Sequence, residues 1–119
     1  MKLTNQQIYQ YATNLMAFNI EGKLPVRINF FLQKNIQQII KLGQEIDSAK
    51  LGIGEQYGIL NESGGYSIPP ENLNTANQEL SDLMNLEQEV NIHIFNLDDF
   101  DGIELTTQQL SAIMFMIEE

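Results

Sequence analysis

Apolar residues recur along one stretch of this chain at a spacing that only a long helix can use. Leu32, Ile36, Ile39, Gly43, Ile46, Lys50, Ile53 and Tyr57 follow one another at intervals of four and three, and Ile40, Leu42 and Ala49 widen the stripe. Such steps bring side chains to one helical face, in the manner of a coiled-coil seam. From Phe30 to Tyr57 the helix is about 42 Å long at 1.5 Å rise per residue. Gly43 and Lys50 interrupt the seam. Gly52 and Gly54 weaken the last turns, and Gly58 is a natural stop.

What flanks this helix decides the architecture. Thr4 and Gln7 have the spacing of a capping box, and Ile8, Tyr11, Ala12 and Leu15 then recur helically, which predicts a first helix from Asn5 to Met16. Asn19 to Lys23 reads as a turn. Leu24 to Asn29 has two readings. The alternation of Leu24, Val26, Ile28 and Phe30 suits a short strand, whereas Pro25 suits a helix start, and the helix is preferred.

Beyond Gly58, Ile59-Leu60 and Tyr66-Ser67-Ile68 flank a small hairpin at Asn61 to Gly65. Pro69-Pro70-Glu71 opens a further helix running to about Gln88, with Leu73, Ala76, Leu80, Leu83 and Met84 on one face. Val90, Ile92 and Ile94 alternate with Asn91, His93 and Phe95 and predict a strand. Asp101-Gly102 is a tight-turn dipeptide leading to a return strand at Ile103 to Leu105. Thr106 and Gln109 repeat the capping-box spacing before a closing helix that carries Leu110, Ile113, Met114 and Ile117.

The expected fold is mostly α with minor β (α+β). It is a long antiparallel helical hairpin with a small β-hairpin tip, a C-terminal strand pair and flanking short helices, in a single domain over residues 1–119. A chain of this length buries roughly two-thirds of the surface it exposes when unfolded. The shorter arm cannot cover the whole long-helix stripe. The stripe formed by Leu32, Ile36, Ile39, Ile46, Ile53 and Tyr57 must therefore pack on other elements of the chain or on a second copy.

Candidate chemistry is sparse. Asp98-Asp99-Phe100-Asp101-Gly102, with Glu104 nearby, resembles a calcium loop, in which oxygen ligands wrap a hard cation. Aligning Gly102 with the loop glycine puts Leu97 at the first ligand position and Gln108 at the twelfth, so the EF-hand pattern fails. A turn with solvated acids is the preferred reading and a weak calcium site the other. His93 is the only histidine and there is no cysteine. Zinc and triad chemistry thus lack partners, and disulfides and thiolate chemistry are excluded.

Gly52-Ile53-Gly54 fails the dinucleotide pattern, because Tyr57 stands where the third glycine belongs. Glu87 and Glu89 would need burial to separate their pKa values for acid–base work. Met114, Phe115 and Met116 read as packing rather than as a cofactor pocket. No enzyme activity and no cofactor are expected.

Charge is the strongest functional signal. All six Lys and Arg residues (Lys2, Lys23, Arg27, Lys34, Lys41 and Lys50) lie in the first fifty positions, beside three acids. Thirteen carboxylates and no base follow from Leu51 onward, and the net charge is −10. Direct nucleic-acid binding is therefore not expected, since phosphate neutralisation needs clustered bases. The N-terminal residues do not resemble a signal peptide, and the longest fully apolar run, Ile113 to Ile117, is far short of a membrane span, so no membrane role and an intracellular location are expected. An acidic region of this kind is either solubilising or a face presented to a basic protein, such as a nucleic-acid-handling enzyme. The candidate contact residues are Glu87, Glu89, Asp98, Asp99, Asp101 and Glu104.

Several stretches together carry a resemblance. They are Leu24-Pro-Val-Arg-Ile-Asn-Phe-Phe-Leu-Gln-Lys-Asn35, Glu55-Gln-Tyr-Gly58, Ile68-Pro-Pro-Glu-Asn72, Asn85-Leu-Glu-Gln-Glu-Val90, Glu104-Leu-Thr-Thr107 and Met114-Phe-Met-Ile-Glu118. In this order they resemble a family of small proteins of unknown function encoded by tailed phages and prophages of Gram-positive bacteria. The resemblance spans nearly the whole chain, rests on structural signatures and transfers no active-site residue. It implies a phage origin and action in the cytoplasm of an infected bacterium. Two roles fit: an accessory protein that binds and modulates a host defence or nucleic-acid-handling protein, and a tail-associated structural or assembly component that oligomerises through the long helix.

Overall fold

The computed structural model describes residues 1–20 and 24–118, so part of the Asn19 to Lys23 turn lies outside the described residues. The fold is mostly α with minor β. Helix α1 spans Asn5–Met16, α2 Val26–Tyr57, α3 Pro70–Asn85 and α4 Thr107–Ile113, with short strands β1 Lys2–Thr4, β2 Ile59–Leu60, β3 Tyr66–Ser67, β4 Glu87–Glu89, β5 Phe95–Asn96 and β6 Ile117–Glu118. Both capping boxes form. In the first, Thr4 Oγ1 accepts from the Gln7 backbone N–H at 3.1 Å while Gln7 Oε1 accepts from the Thr4 N–H at 2.9 Å. Thr106 and Gln109 repeat this reciprocal pair at 3.0 and 2.8 Å.

Pro25 precedes the first turn of α2, so Leu24 to Asn29 enters a helix and not a strand. At 32 residues α2 is about 48 Å long, a turn longer than its seam alone predicts. The two seam interruptions turn out to be contact points for α1. Gly43 is where α1 crosses: a Cβ there would lie 2.7 Å from the Ala12 Cβ. Lys50 reaches the Tyr9 ring, its Nζ 4.3 Å from the centroid. Both residues belong to an intramolecular interface.

At the far end of α2 the Gly58 N–H donates to the Gly54 carbonyl at 2.8 Å, and β2 and β3 pair antiparallel. Asn61 builds the turn between them. Its Oδ1 accepts from the N–H groups of Ser63 and Gly65 at 3.1 and 3.0 Å, and Gly64 has φ 87°. Helix α3 then returns along α2, with the Asn72 side chain donating to the Tyr57 carbonyl at 3.1 Å.

The main core lies at the opposite end. Ile8, Leu15, Leu32, Ile39, Val90, Phe95, Ile113 and Met116 are all but inaccessible there. No residue from Asp47 to Thr75 is buried, so that half of the hairpin projects as an arm. The molecule measures 56 × 29 × 21 Å with a radius of gyration of 17.8 Å. A compact chain of this length has about 13 to 14 Å.

The C-terminal third corrects three expectations. Val90 to Ile94 is not a strand; the ladder lies earlier, where β4 pairs antiparallel with β1, and later, where β5 pairs parallel with β6. Ile103 to Leu105 forms no return strand. The closing helix is also shorter than its apolar periodicity suggests. α4 ends at Ile113, one 3-10 turn follows over Met114–Met116, and Ile117 joins β6. Ile117 pairs with Phe95 and so cannot also extend the helical face that its spacing suggests.

Candidate functional site

The six candidate contact acids fall on separate elements. Glu87 and Glu89 share the exposed side of β4, while Gln88 between them turns inward, as strand alternation requires, and donates to Asn5 Oδ1 at 2.7 Å. Both acids meet cations of their own chain. The α-ammonium of Met1 lies 2.9 Å from Glu89 Oε1, and Lys2 Nζ lies 3.6 Å from Glu87 Oε2. The hydrogen bond from that ammonium, then its charge, holds the Glu89 carboxyl below the usual range, with Lys2 adding to the effect and partial desolvation opposing it. At this end of the chain the acidic surface is partly neutralised already.

Asp98, Asp99 and Asp101 share the 3-10 turn over Leu97–Phe100 and the residue after it. Asp99 is a capping residue, its Oδ2 accepting from the Asn96 N–H at 2.9 Å. Asp98 and Asp101 have exposed side chains, and the turn closes at Gly102 with φ 78°. Glu104 lies on the following segment and borders a groove with Asn19, Leu105 and Gln109. Among the described residues, no three His, Cys, Asp or Glu side chains are grouped to hold a metal ion.

The long-helix stripe divides in two. Leu32, Ile36, Ile39 and Ile46 are buried within the chain, against α1 and the C-terminal segment, whereas Ile53 and Tyr57 on the arm are half-buried. The Tyr57 hydroxyl donates to Glu79 Oε1 at 3.2 Å. Partial desolvation and the adjacent Glu79 carboxylate push its pKa upward.

One arrangement was not foreseen. Asn35 on α2, 1% exposed, grips the backbone of His93: its Nδ2 donates to the His93 carbonyl at 2.9 Å and its Oδ1 accepts from the His93 N–H at 3.0 Å. The His93 ring is thereby placed 4.1 Å from the Phe31 ring, stacked, and 4.8 Å from Phe95, edge-on, and Phe95 continues to Phe100 at 5.3 Å. A polar residue at an inward helical position was the available signal, and its backbone partner was not. His93 packs in an aromatic row, and among the described residues no carboxylate is hydrogen-bonded to it.

Two clefts of about 390 and 550 Å³ flank Phe18 and Asn19. Among the described residues, amide, hydroxyl and apolar side chains line them, with no carboxylate, imidazole or amine. Among the described residues, no helix is long and apolar enough to cross a membrane.

The site thus defined is a surface: exposed carboxylates on a mostly helical scaffold with a projecting arm. No family model, curated protein or solved structure matches this chain.

Proposed function

We propose that this chain is a non-enzymatic, phage-encoded accessory protein. In this reading it acts in the cytoplasm of an infected bacterium as an acidic inhibitor or modulator of a host defence or nucleic-acid-handling protein. The observation that carries the reading is the segregation of charge. From Leu51 onward there are thirteen carboxylates and no base, and all the described ones except Asp99 are exposed. Among the described residues, only Glu87 and Glu89 of these carboxylates are paired with a cation. An acidic surface of this kind suits a protein whose own surface is basic, and steering between the two raises the association rate. The phage origin rests on the sequence resemblance.

The alternative, a tail component oligomerising through the long helix, has less support. Four of the six stripe residues it would use (Leu32, Ile36, Ile39 and Ile46) are already buried within one chain. The deciding experiment is affinity capture of the tagged protein from phage-infected cells at low and moderate salt, with mass spectrometry. A host defence or nucleic-acid-binding protein that is lost as salt rises supports the inhibitor reading. Recovery of the chain itself with virion proteins supports assembly.

A further inference from the structure

We infer that the contact is made by the end of the projecting arm, where apolar side chains stand beside carboxylates, and that its partner offers an apolar surface bordered by Lys and Arg. The inference rests on the protein-binding reading above and gives it a location. Ile59 and Leu60 on β2 are 66% and 63% exposed, and Leu73 in the first turns of α3 is 45% exposed. The hydrogen bond from Asn72 to the Tyr57 carbonyl holds that turn of α3 against the end of α2. The tip is therefore constructed and not frayed. Gly54 and Gly58 let the Tyr66 side chain close on the helix end, at 3.1 and 3.0 Å from where their Cβ atoms would stand. Asn61 fixes the turn through three acceptor bonds.

Charge selects the occupant. Glu55 in the last turn of α2, Glu62 between β2 and β3 and Glu71 in the first turn of α3 are all exposed, and no base lies beyond Lys50, which is itself engaged with Tyr9. Two such tips brought together would set carboxylate against carboxylate, which disfavours tip-to-tip pairing of two copies. Apolar anchors beside carboxylates match an apolar surface whose border is basic.

The test uses the full chain and a synthetic amphipathic helical peptide of Lys and Leu, with a control peptide carrying Glu in place of Lys. Amide resonances are followed by NMR, and affinity is measured for the wild type and for the double variant Ile59→Ser, Leu60→Ser. Because both residues are exposed, the variant is expected to melt with the wild type by circular dichroism. The expected result is a perturbation centred on Ile59, Leu60 and Leu73, absent with the Glu peptide, with affinity lowered about tenfold in the variant. Perturbation centred on Asp98 to Glu104, with unchanged affinity in the variant, would overturn the tip contact and leave the protein-binding reading standing. No binding of the Lys peptide at low salt would overturn the tip contact too, leaving the capture experiment to judge the broader reading. Wild-type self-association that the variant abolishes would overturn the choice of occupant.

Discussion

Asn35 and His93, 58 positions apart, are joined by two hydrogen bonds in which a side-chain amide does what a neighbouring strand would otherwise do. This pairing carries the segment from Val90 to Ile94 past α2 without a ladder. It also explains how a buried polar residue is tolerated in an apolar seam, since both ends of its amide are satisfied.

Replacing Asn35 removes both bonds and strands the His93 N–H and carbonyl. Asn35→Ala is expected to lower unfolding stability by about 2 to 4 kcal/mol, from the unsatisfied backbone groups and the space left behind. Asn35→Asp, which keeps the acceptor but loses the donor and buries a charge, should cost at least as much. Urea unfolding followed by circular dichroism measures both. A loss near zero for Asn35→Ala would mean that the segment holds its path by apolar packing alone.

Two glycines of α2 should respond in opposite directions. Gly52 has no atom within 4 Å of a built Cβ, so Gly52→Ala is expected to stabilise by about 0.5 to 1 kcal/mol through helix propensity. Gly43→Ala places a methyl group 2.7 Å from the Ala12 Cβ and should destabilise by about 1 to 3 kcal/mol through overpacking. Adding Ala12→Gly to Gly43→Ala should recover part of that loss. A double-mutant cycle on thermal or urea unfolding reads the coupling, and simple additivity would rule out the crossing.

These cases show where the sequence was legible. The capping boxes at Thr4 and Thr106 and the apolar spacing of α2 are local signals, written within a few residues, and they were readable. Gly43 and Lys50 read as flaws in a seam because their partners, Ala12 and Tyr9, lie on another helix. Val90 to Ile94 alternated like a strand, yet at His93 its backbone partner is a side chain on α2, which periodicity cannot reveal. The candidate acids were readable as charge. That Glu87 and Glu89 are partly neutralised depends on β1 pairing with β4, a contact spanning most of the chain.

Glu89 gives the stability profile an acid limb. Its folded-state pKa is lowered, so its contribution is present above the unfolded value and is lost as pH falls through the folded one. Glu89→Gln should flatten the midpoint-against-pH curve in that acid range. Tyr57 works with the opposite sign. Its pKa is raised, so its contribution is present below the ordinary tyrosine value and is lost as pH rises through the folded one. Tyr57→Phe should flatten the alkaline limb. Thermal melts of the two variants across pH measure both, and a limb unchanged by its variant would remove that group from the profile.

Charge and contact on the acidic half should separate kinetically. Asp98 and Asp101 are exposed and free of side-chain hydrogen bonds among the described residues, whereas Asp99 caps its turn and is best left in place. Asp98→Lys with Asp101→Lys should change stability by no more than about 0.5 kcal/mol, as surface substitutions usually do. If the arm tip makes the contact, this reversal weakens the long-range field and slows association with the Lys and Leu peptide. The complex, once formed, should dissociate at nearly the wild-type rate. Ile59→Ser with Leu60→Ser should do the reverse, leaving association almost unchanged and hastening dissociation. Stopped-flow or surface-based kinetics at two salt concentrations resolves the two effects. Faster dissociation in the Asp98 and Asp101 variant would move the contact from the tip to the 3-10 turn.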